Sequence, residues 1–220
     1  MTSVLRGLVP HAGFVAESVP RLADEAELYP EEIEYIRAAV PQRRAEFATA
    51  RVCARRGLAA MGIAPVSLVP AADRTPVWPE GVVASITHTR DYCAVAMGRC
   101  PPLRSVGIDV ETIRELEDGV TRLILTERER AWIHSPGRAA RYLVEDSLLV
   151  FSAKEAFYKC QFPLTQRLLE FRDVEIDVPP RDGRFSVTVL KRDWPKDLAR
   201  MDGRFAFDSG RVLCGVEWLA

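Results

Sequence analysis

Ser105-Val106-Gly107-Ile108-Asp109-Val110-Glu111 is the stretch from which the rest of the chain can be read. Its alternation predicts a β-strand, with Val106, Ile108 and Val110 pointing one way and Gly107, Asp109 and Glu111 the other. Residues i and i+2 of a strand share a face and stand about 7 Å apart at the backbone. Two carboxylates at that spacing can converge on one hard cation, and all-oxygen ligation suits Mg²⁺. Gly107 is expected to leave that face open beside the acids. Taken alone, the pair reads better as a strand end with two solvated acids.

Working outward, Pro101-Pro102 places a boundary near Leu103. Before it, residues 82–87 and 92–97 read as two strands, joined as a hairpin by His88-Thr89-Arg90-Asp91. Residues 64–81 carry Pro65, Pro70, Pro76 and Pro79 and read as a loop. Tyr29-Pro30-Glu31-Glu32 starts a helix running to about Val40, where Pro41 breaks it. A second helix covers roughly 41–61 and stops at Gly62, with Phe47, Ala50, Ala54, Leu58 and Met61 as its apolar stripe. After the central strand, Thr126-Glu127-Arg128-Glu129 matches a capping box. A long helix is expected from about Arg138 to Gln161, ending before Pro163. Residues 174–178, 185–190, 204–207 and 212–218 read as strands.

The 220 residues suffice for one large domain or two small ones. Lys+Arg 30 against Asp+Glu 31 leaves a net charge of -1, which argues against a nucleic-acid binder relying on bulk positive charge. The apolar runs are too short to span a membrane. Met1–Pro10 lacks the hydrophobic region and cleavage site of a secretory signal. The five cysteines are irregularly spaced without a CxxC, and read as reduced thiols of a cytoplasmic protein.

Three further groups could carry chemistry. In Phe151-Ser152-Ala153-Lys154-Glu155-Ala156-Phe157-Tyr158-Lys159, Glu155 and Lys159 are one helical turn apart. Two of only four lysines fall there, in a chain whose usual base is arginine, and an ammonium suits phosphate oxygens. Ser85-Ile86-Thr87-His88 gathers donors at a strand end. The helix over 41–61 carries Arg43, Arg44 and Arg51. Singly, these read as a surface ion pair, a polar turn and a solvated helix face. Walker A, GxGxxG, GxSxG and HExxH are absent from the sequence, which removes the common nucleotide hydrolases, dinucleotide dehydrogenases, serine hydrolases and zinc proteases as first choices.

Together the groups converge. An arginine helix with Arg43-Arg44-Ala45-Glu46-Phe47, the block from Trp78-Pro79 to His88, the GIDxE strand and the FSxKExxxK helix follow in that order. From about Tyr29 to Thr165 the chain resembles the 4′-phosphopantetheinyl transferase superfamily, in its two-lobed, enterobactin synthetase component D-like branch. The resemblance implies an α+β (α/β) fold of two similar lobes, 1–103 and 104–220, related by a pseudo-twofold axis. Each would pack helices on a small, mainly antiparallel sheet, with the active site in the cleft between them. It implies transfer of 4′-phosphopantetheine from coenzyme A to a serine of an acyl or peptidyl carrier protein, releasing 3′,5′-ADP, by a monomer. Asp109, Glu111 and Glu155 would hold Mg²⁺, with Mn²⁺ as an alternative. Glu155, or a water held by the acids, would take the serine proton, and Lys154 and Lys159 would lie near the pyrophosphate. Thr87 and His88 match a phosphate-binding position, and Arg43 and Arg51 the 3′-phosphate side of the nucleotide.

Relatives often carry glycine where Ala84 stands, and a lysine in the loop where residues 69–75 offer only Arg74. A Mg²⁺-dependent phosphohydrolase would use the same acids but give the His88 block no role. A non-catalytic coenzyme A or carrier-docking protein would not need all three carboxylates.

Overall fold

A computed structural model describes residues 3–73, 75–135, 140–178 and 182–220; Arg74 and Arg138, the expected start of the long helix, lie outside the described residues. The element order is α1 (Val4–Leu8), β1 (Phe14–Ser18), α2 (Pro30–Ile36), α3 (Pro41–Ala60), β2 (Val82–Thr89), β3 (Tyr92–Arg99) and β4 (Leu103–Thr112). There follow α4 (Asp118–Ile124), α5 (Glu127–Ile133), α6 (Ala140–Thr165), β5 (Val174–Asp177), β6 (Arg184–Val189), β7 (Arg200–Asp208) and β8 (Arg211–Leu219). The strands form two antiparallel sheets, β1-β3-β2 and β4-β8-β7-β6-β5. This is the mixed α+β class expected.

The small sheet is built around β3, whose Cys93-Ala94-Val95-Ala96-Met97 run is buried on both faces. Small side chains are needed because both faces are covered. On one, α3 brings Cys53, Ala54 and Leu58 against Val95 and Met97. On the other, Ala94 and Ala96 meet Val106, Ile108 and Val110 of β4. Proline opens both α2 and α3, where its missing N–H costs nothing. α5 starts with the expected capping box: Thr126 Oγ1 accepts from Glu129 N–H at 3.2 Å, and Thr126 N–H donates to Glu129 Oε2 at 2.7 Å.

The opposite face of β4 carries α6. A methyl group on Gly107 would overlap the Ala156 carbonyl oxygen and lie 2.7 Å from the Cys160 backbone nitrogen. Gly107 therefore does not leave an open face, as the strand pattern suggested; it admits a helix at close range. α6 also runs past its expected end and contains Pro163. Proline removes one hydrogen bond, but so close to the terminus Gln166 N–H still reaches the Phe162 carbonyl at 2.9 Å. Gln166 then leaves the helix at φ 53.

The sheets meet through side chains. β4 is an edge strand of the large sheet, and its outward N–H groups at Ile108 and Val110 donate to Ser85 Oγ and Thr87 Oγ1, each at 3.1 Å. At the other end of the chain order, α1 packs on β7 and β8, burying Leu5 and Leu8 with Leu213. Sequence reading assigned no element to α1 or β1. All five cysteines are free. Among the described residues, no helix is long and apolar enough to cross a membrane.

Candidate active site

Because α6 lies directly on Gly107, the next two residues on that face of β4, Asp109 and Glu111, come beside Glu155 and Lys159. Asp109 is 4% exposed. Its Oδ1 accepts from Lys159 Nζ at 2.7 Å and from Thr87 Oγ1 at 3.3 Å. Its Oδ2 is buried without a hydrogen-bond partner. Lys159 Nζ also donates to the Ile108 carbonyl at 3.2 Å.

The three acids feel one another. Burial first, then the Asp109 charge, push Glu111 up to about 7, and Glu155 adds to the effect. Burial also raises Glu155; Lys159 opposes the rise and Asp109 adds to it. Among the described residues no three His, Cys, Asp or Glu side chains are already gathered as a metal cage. Lys159 already holds Asp109 Oδ1, so a cation would meet the unpaired Oδ2. The donor set nonetheless fits a hard divalent ion, being all oxygen and left with an unpaired buried oxygen.

Beside this cluster lies a cavity of about 600 Å³ between α3, β2, the proline-rich loop and α6. Arg43, Arg51, Trp78, His88, Tyr158 and Lys159 are among its lining residues. Tyr158 stacks on Phe162 with ring centroids 5.3 Å apart, giving the α6 wall a flat apolar surface. Arg51 is 5% exposed, donates from Nε to the Leu68 carbonyl at 2.9 Å and stacks on Phe47 at 3.9 Å. Burial lowers it to about 10, so it stays charged at neutral pH. Arg43 Nη1 lies 2.6 Å from His88 Nε2. Burial, and then Arg43, lower His88 and keep its ring neutral near pH 7. Two other arginines of the helix are occupied: Arg44 pairs with Glu25 and Arg55 with Glu32.

Two residues expected at phosphate have other partners. Lys154 is 3% exposed and turned away from Asp109. Its Nζ donates to Glu129 Oε2 at 2.7 Å and to the carbonyls of Ile124 and Phe171, each at 2.8 Å. Adjacent helical positions diverge by about 100°, so Lys154 and Glu155 cannot share a face. Thr87 is 2% exposed, and its hydroxyl is consumed by Val110 N–H and Asp109. Alternation along β2 sends Ser85 and Thr87 toward β4 and leaves Ala84, Ile86 and His88 on the cavity. Ala84 thus lines the cavity with a single methyl.

Sequence reading gave no function to Glu46, Trp78, Tyr158 or Phe162, which also line it. Glu46 stood in a quoted motif, three residues after Arg43, and Tyr158 precedes Lys159. A second, largely apolar hollow of about 640 Å³ lies on the other side of Tyr158, with Glu155, Leu123, Leu169 and Phe171 in its wall.

Comparison with known proteins points the same way. The family model described as the 4'-phosphopantetheinyl transferase N-terminal domain matches residues 31–98, and that of the 4'-phosphopantetheinyl transferase superfamily matches residues 105–208. The chain is 39% identical over 193 residues to 4'-phosphopantetheinyl transferase Svp of Streptomyces mobaraensis, covering 86% of this chain and 78% of that protein. It is 32% identical over 218 residues to 4'-phosphopantetheinyl transferase Npt of Nocardia iowensis, covering 94% and 96%. To enterobactin synthase component D of Salmonella typhi it is 30% identical over 131 residues, covering 56% and 50%. Matches that run through both halves of the sequence, and relatives aligned along nearly its whole length, leave one assignment: the chain belongs to the 4′-phosphopantetheinyl transferase superfamily and is a 4′-phosphopantetheinyl transferase of the branch that includes enterobactin synthase component D.

Proposed function

We propose that the protein moves 4′-phosphopantetheine from coenzyme A to a serine of an acyl or peptidyl carrier protein and releases 3′,5′-ADP. The observation that carries this reading is the Lys159–Asp109 pair at 2.7 Å, which stands among mutually interacting acids and whose lysine lines the neighbouring basic and aromatic cavity. Arg43, Arg51 and His88 would receive the phosphorylated nucleotide, and the Tyr158–Phe162 surface would lie along the coenzyme. Asp109, Glu111 and Glu155 would hold Mg²⁺, or Mn²⁺ in its place, which when bound neutralises pyrophosphate charge. Glu155 is suited to take the serine proton, because burial strengthens it as a base. The serine oxygen bonds to the phosphorus bearing the pantetheine arm, and the bond from that phosphorus to the bridging oxygen breaks. Lys159 is placed to stabilise the charge that develops on the leaving phosphate. Lys154 and Thr87 act behind the site, the first by fixing α6 and the second by holding Asp109.

The carriers would be domains of siderophore, peptide, polyketide or fatty acid synthases, with the enzyme working as a cytoplasmic monomer. A phosphohydrolase built on the same acids would leave the Arg43–His88 side of the cavity without a purpose. Mass spectrometry of apo carrier proteins incubated with coenzyme A and Mg²⁺ tests the reading. The wild-type chain should add ~340 Da, the mass a covalently transferred arm leaves behind. Asp109→Asn, which keeps the shape, should lower the rate by at least about a hundredfold. No mass addition by the wild type on any carrier overturns the proposal.

A further inference from the structure

Glu32 is fully buried and has no part in the chemistry above. It stands in the first turn of α2. Its Oε2 accepts from Tyr29 N–H at 2.9 Å, within that same turn. Its Oε1 accepts from Leu68 N–H at 2.8 Å, 36 residues away. Arg55 Nη1 donates to both oxygens at 2.9 Å. A buried carboxylate is costly unless charge and hydrogen bonds compensate it, and here one guanidinium and two amides do so. Leu68 is held from its other side as well. Its carbonyl accepts from Arg51 Nε at 2.9 Å, and its side chain packs in a core with Cys53, Ala54 and Leu58 of α3. Both polar backbone groups of one residue thus end on charged side chains from α2 and α3. The residues after it close a loop: Pro70 bridges to Pro76, and Ala71 N–H donates to the Thr75 carbonyl at 2.9 Å. That loop supplies Pro70, Thr75, Pro76 and, just beyond, Trp78 to the cavity wall, which Arg51 also lines. With Nε on Leu68, the Nη donors of Arg51 are the ones left to meet a phosphate. The Glu32 charge also opposes the burial that lowers Arg51.

We infer that Glu32 is a positioning residue for coenzyme A: by holding Leu68 it fixes the root of the loop over 69–76 and the carbonyl that orients Arg51. The inference rests on the reading of this cavity as the coenzyme A site. Glu32 lies behind the cavity wall and does not meet the ligand. Its contribution is to keep the binding-competent arrangement of loop and arginine populated. Any fall in that population passes directly into the apparent affinity.

Glu32→Asp tests this, because it keeps the charge beside Arg55 and is one methylene shorter. The Tyr29 contact is local and should survive, whereas Leu68 should be released. Amide hydrogen exchange is followed in the full chain labelled with ¹⁵N-leucine, Leu68 being assigned by the signal lost in Leu68→Met. Leu68 should exchange roughly tenfold faster in Glu32→Asp, the effect of one lost hydrogen bond to a charged group, while Leu213 in β8 keeps its rate. Calorimetry should show coenzyme A binding weakened by a similar factor, with the defect in turnover falling on KM rather than kcat. In the wild type, saturating coenzyme A should slow exchange at Leu68, since binding and anchoring favour each other reciprocally. That measurement stands even where Glu32→Asp does not fold. Unchanged exchange at Leu68 in Glu32→Asp overturns the inference, as does equal acceleration at Leu213, which would mark a general loss of stability. Faster exchange at Leu68 with unaltered coenzyme A affinity overturns it too, and so does a wild type that binds coenzyme A without slowing Leu68. A wild type that does not bind coenzyme A overturns the reading of the cavity instead. The exchange rates of Leu68 in the two proteins then decide alone whether Glu32 anchors it, a rise upholding the anchor and no rise ending it.

Discussion

Lys154 and Lys159 sit five residues apart on one helix and do unlike things. Lys159 meets Asp109 where α6 lies on β4, whereas Lys154 ties Glu129, Ile124 and Phe171 together inside the larger core. Their division was legible in principle: helical spacing sets them about 140° apart, while Glu155 is only about 40° from Lys159. Composition alone, which singled out both as rare lysines, could not separate them. Thr87 was open to the same kind of arithmetic, since strand alternation puts it opposite His88. Glu111 carries a consequence for pH. Its ordinary value of 4.5 rises to about 7 in the fold. Between those values the native protein keeps a proton that the unfolded chain has lost, so stability falls as pH rises through that window. Glu111→Gln should therefore melt about 2–5 °C above the wild type at pH 8, the gap closing near pH 4. Adding Mg²⁺ at pH 8 should narrow it by stabilising the wild type alone. Thermal melts across pH with and without Mg²⁺ check both, and a gap that grows toward low pH would contradict the assignment.

At the scale of elements, the contact between α6 and β4 decides whether the acids meet at all. Gly107 sets that contact, since any side chain there strikes the helix backbone. Gly107→Ala should cost about 1–3 kcal/mol, at or above the upper end because backbone cannot swing aside, and should abolish transfer even where the chain still folds. Urea unfolding and the carrier-protein assay measure the two losses; a fully active, equally stable variant would mean the helix can shift without consequence. Most elements were legible because their signals are local. Alternation located β4 to within two residues at its start, and the Thr126–Glu129 box located α5. α1 and β1 were missed because five-residue segments carry too little periodicity to register. Gly107 was noticed but misjudged. An open face and a closely packed one leave the same residue in the sequence.

At the scale of the molecule, two hydroxyls do the work of a strand pairing. Ser85 and Thr87 take the outward amides of β4 and so join the small sheet to the large one. Replacing both, as Ser85→Ala with Thr87→Val, buries two amides without partners, at about 1–3 kcal/mol each. The urea midpoint should fall accordingly, and coenzyme A, which would bind against both sheets, should recover part of the loss. An unmoved midpoint would show that the amides find other acceptors. Nothing local in the sequence announced this joint, because it depends on residues 23 apart coming together. The same was true of the order of the large sheet, where β8 separates β4 from β7.

That order has a bearing on how the molecule comes into being. Leu5 and Leu8 are covered by β7 and β8, which are made some two hundred positions after them. Until β8 emerges and slots between its neighbours, the leading helix has nothing to lie on. α1 thus waits long for its place, and a chaperone holding nascent apolar segments would find a client there.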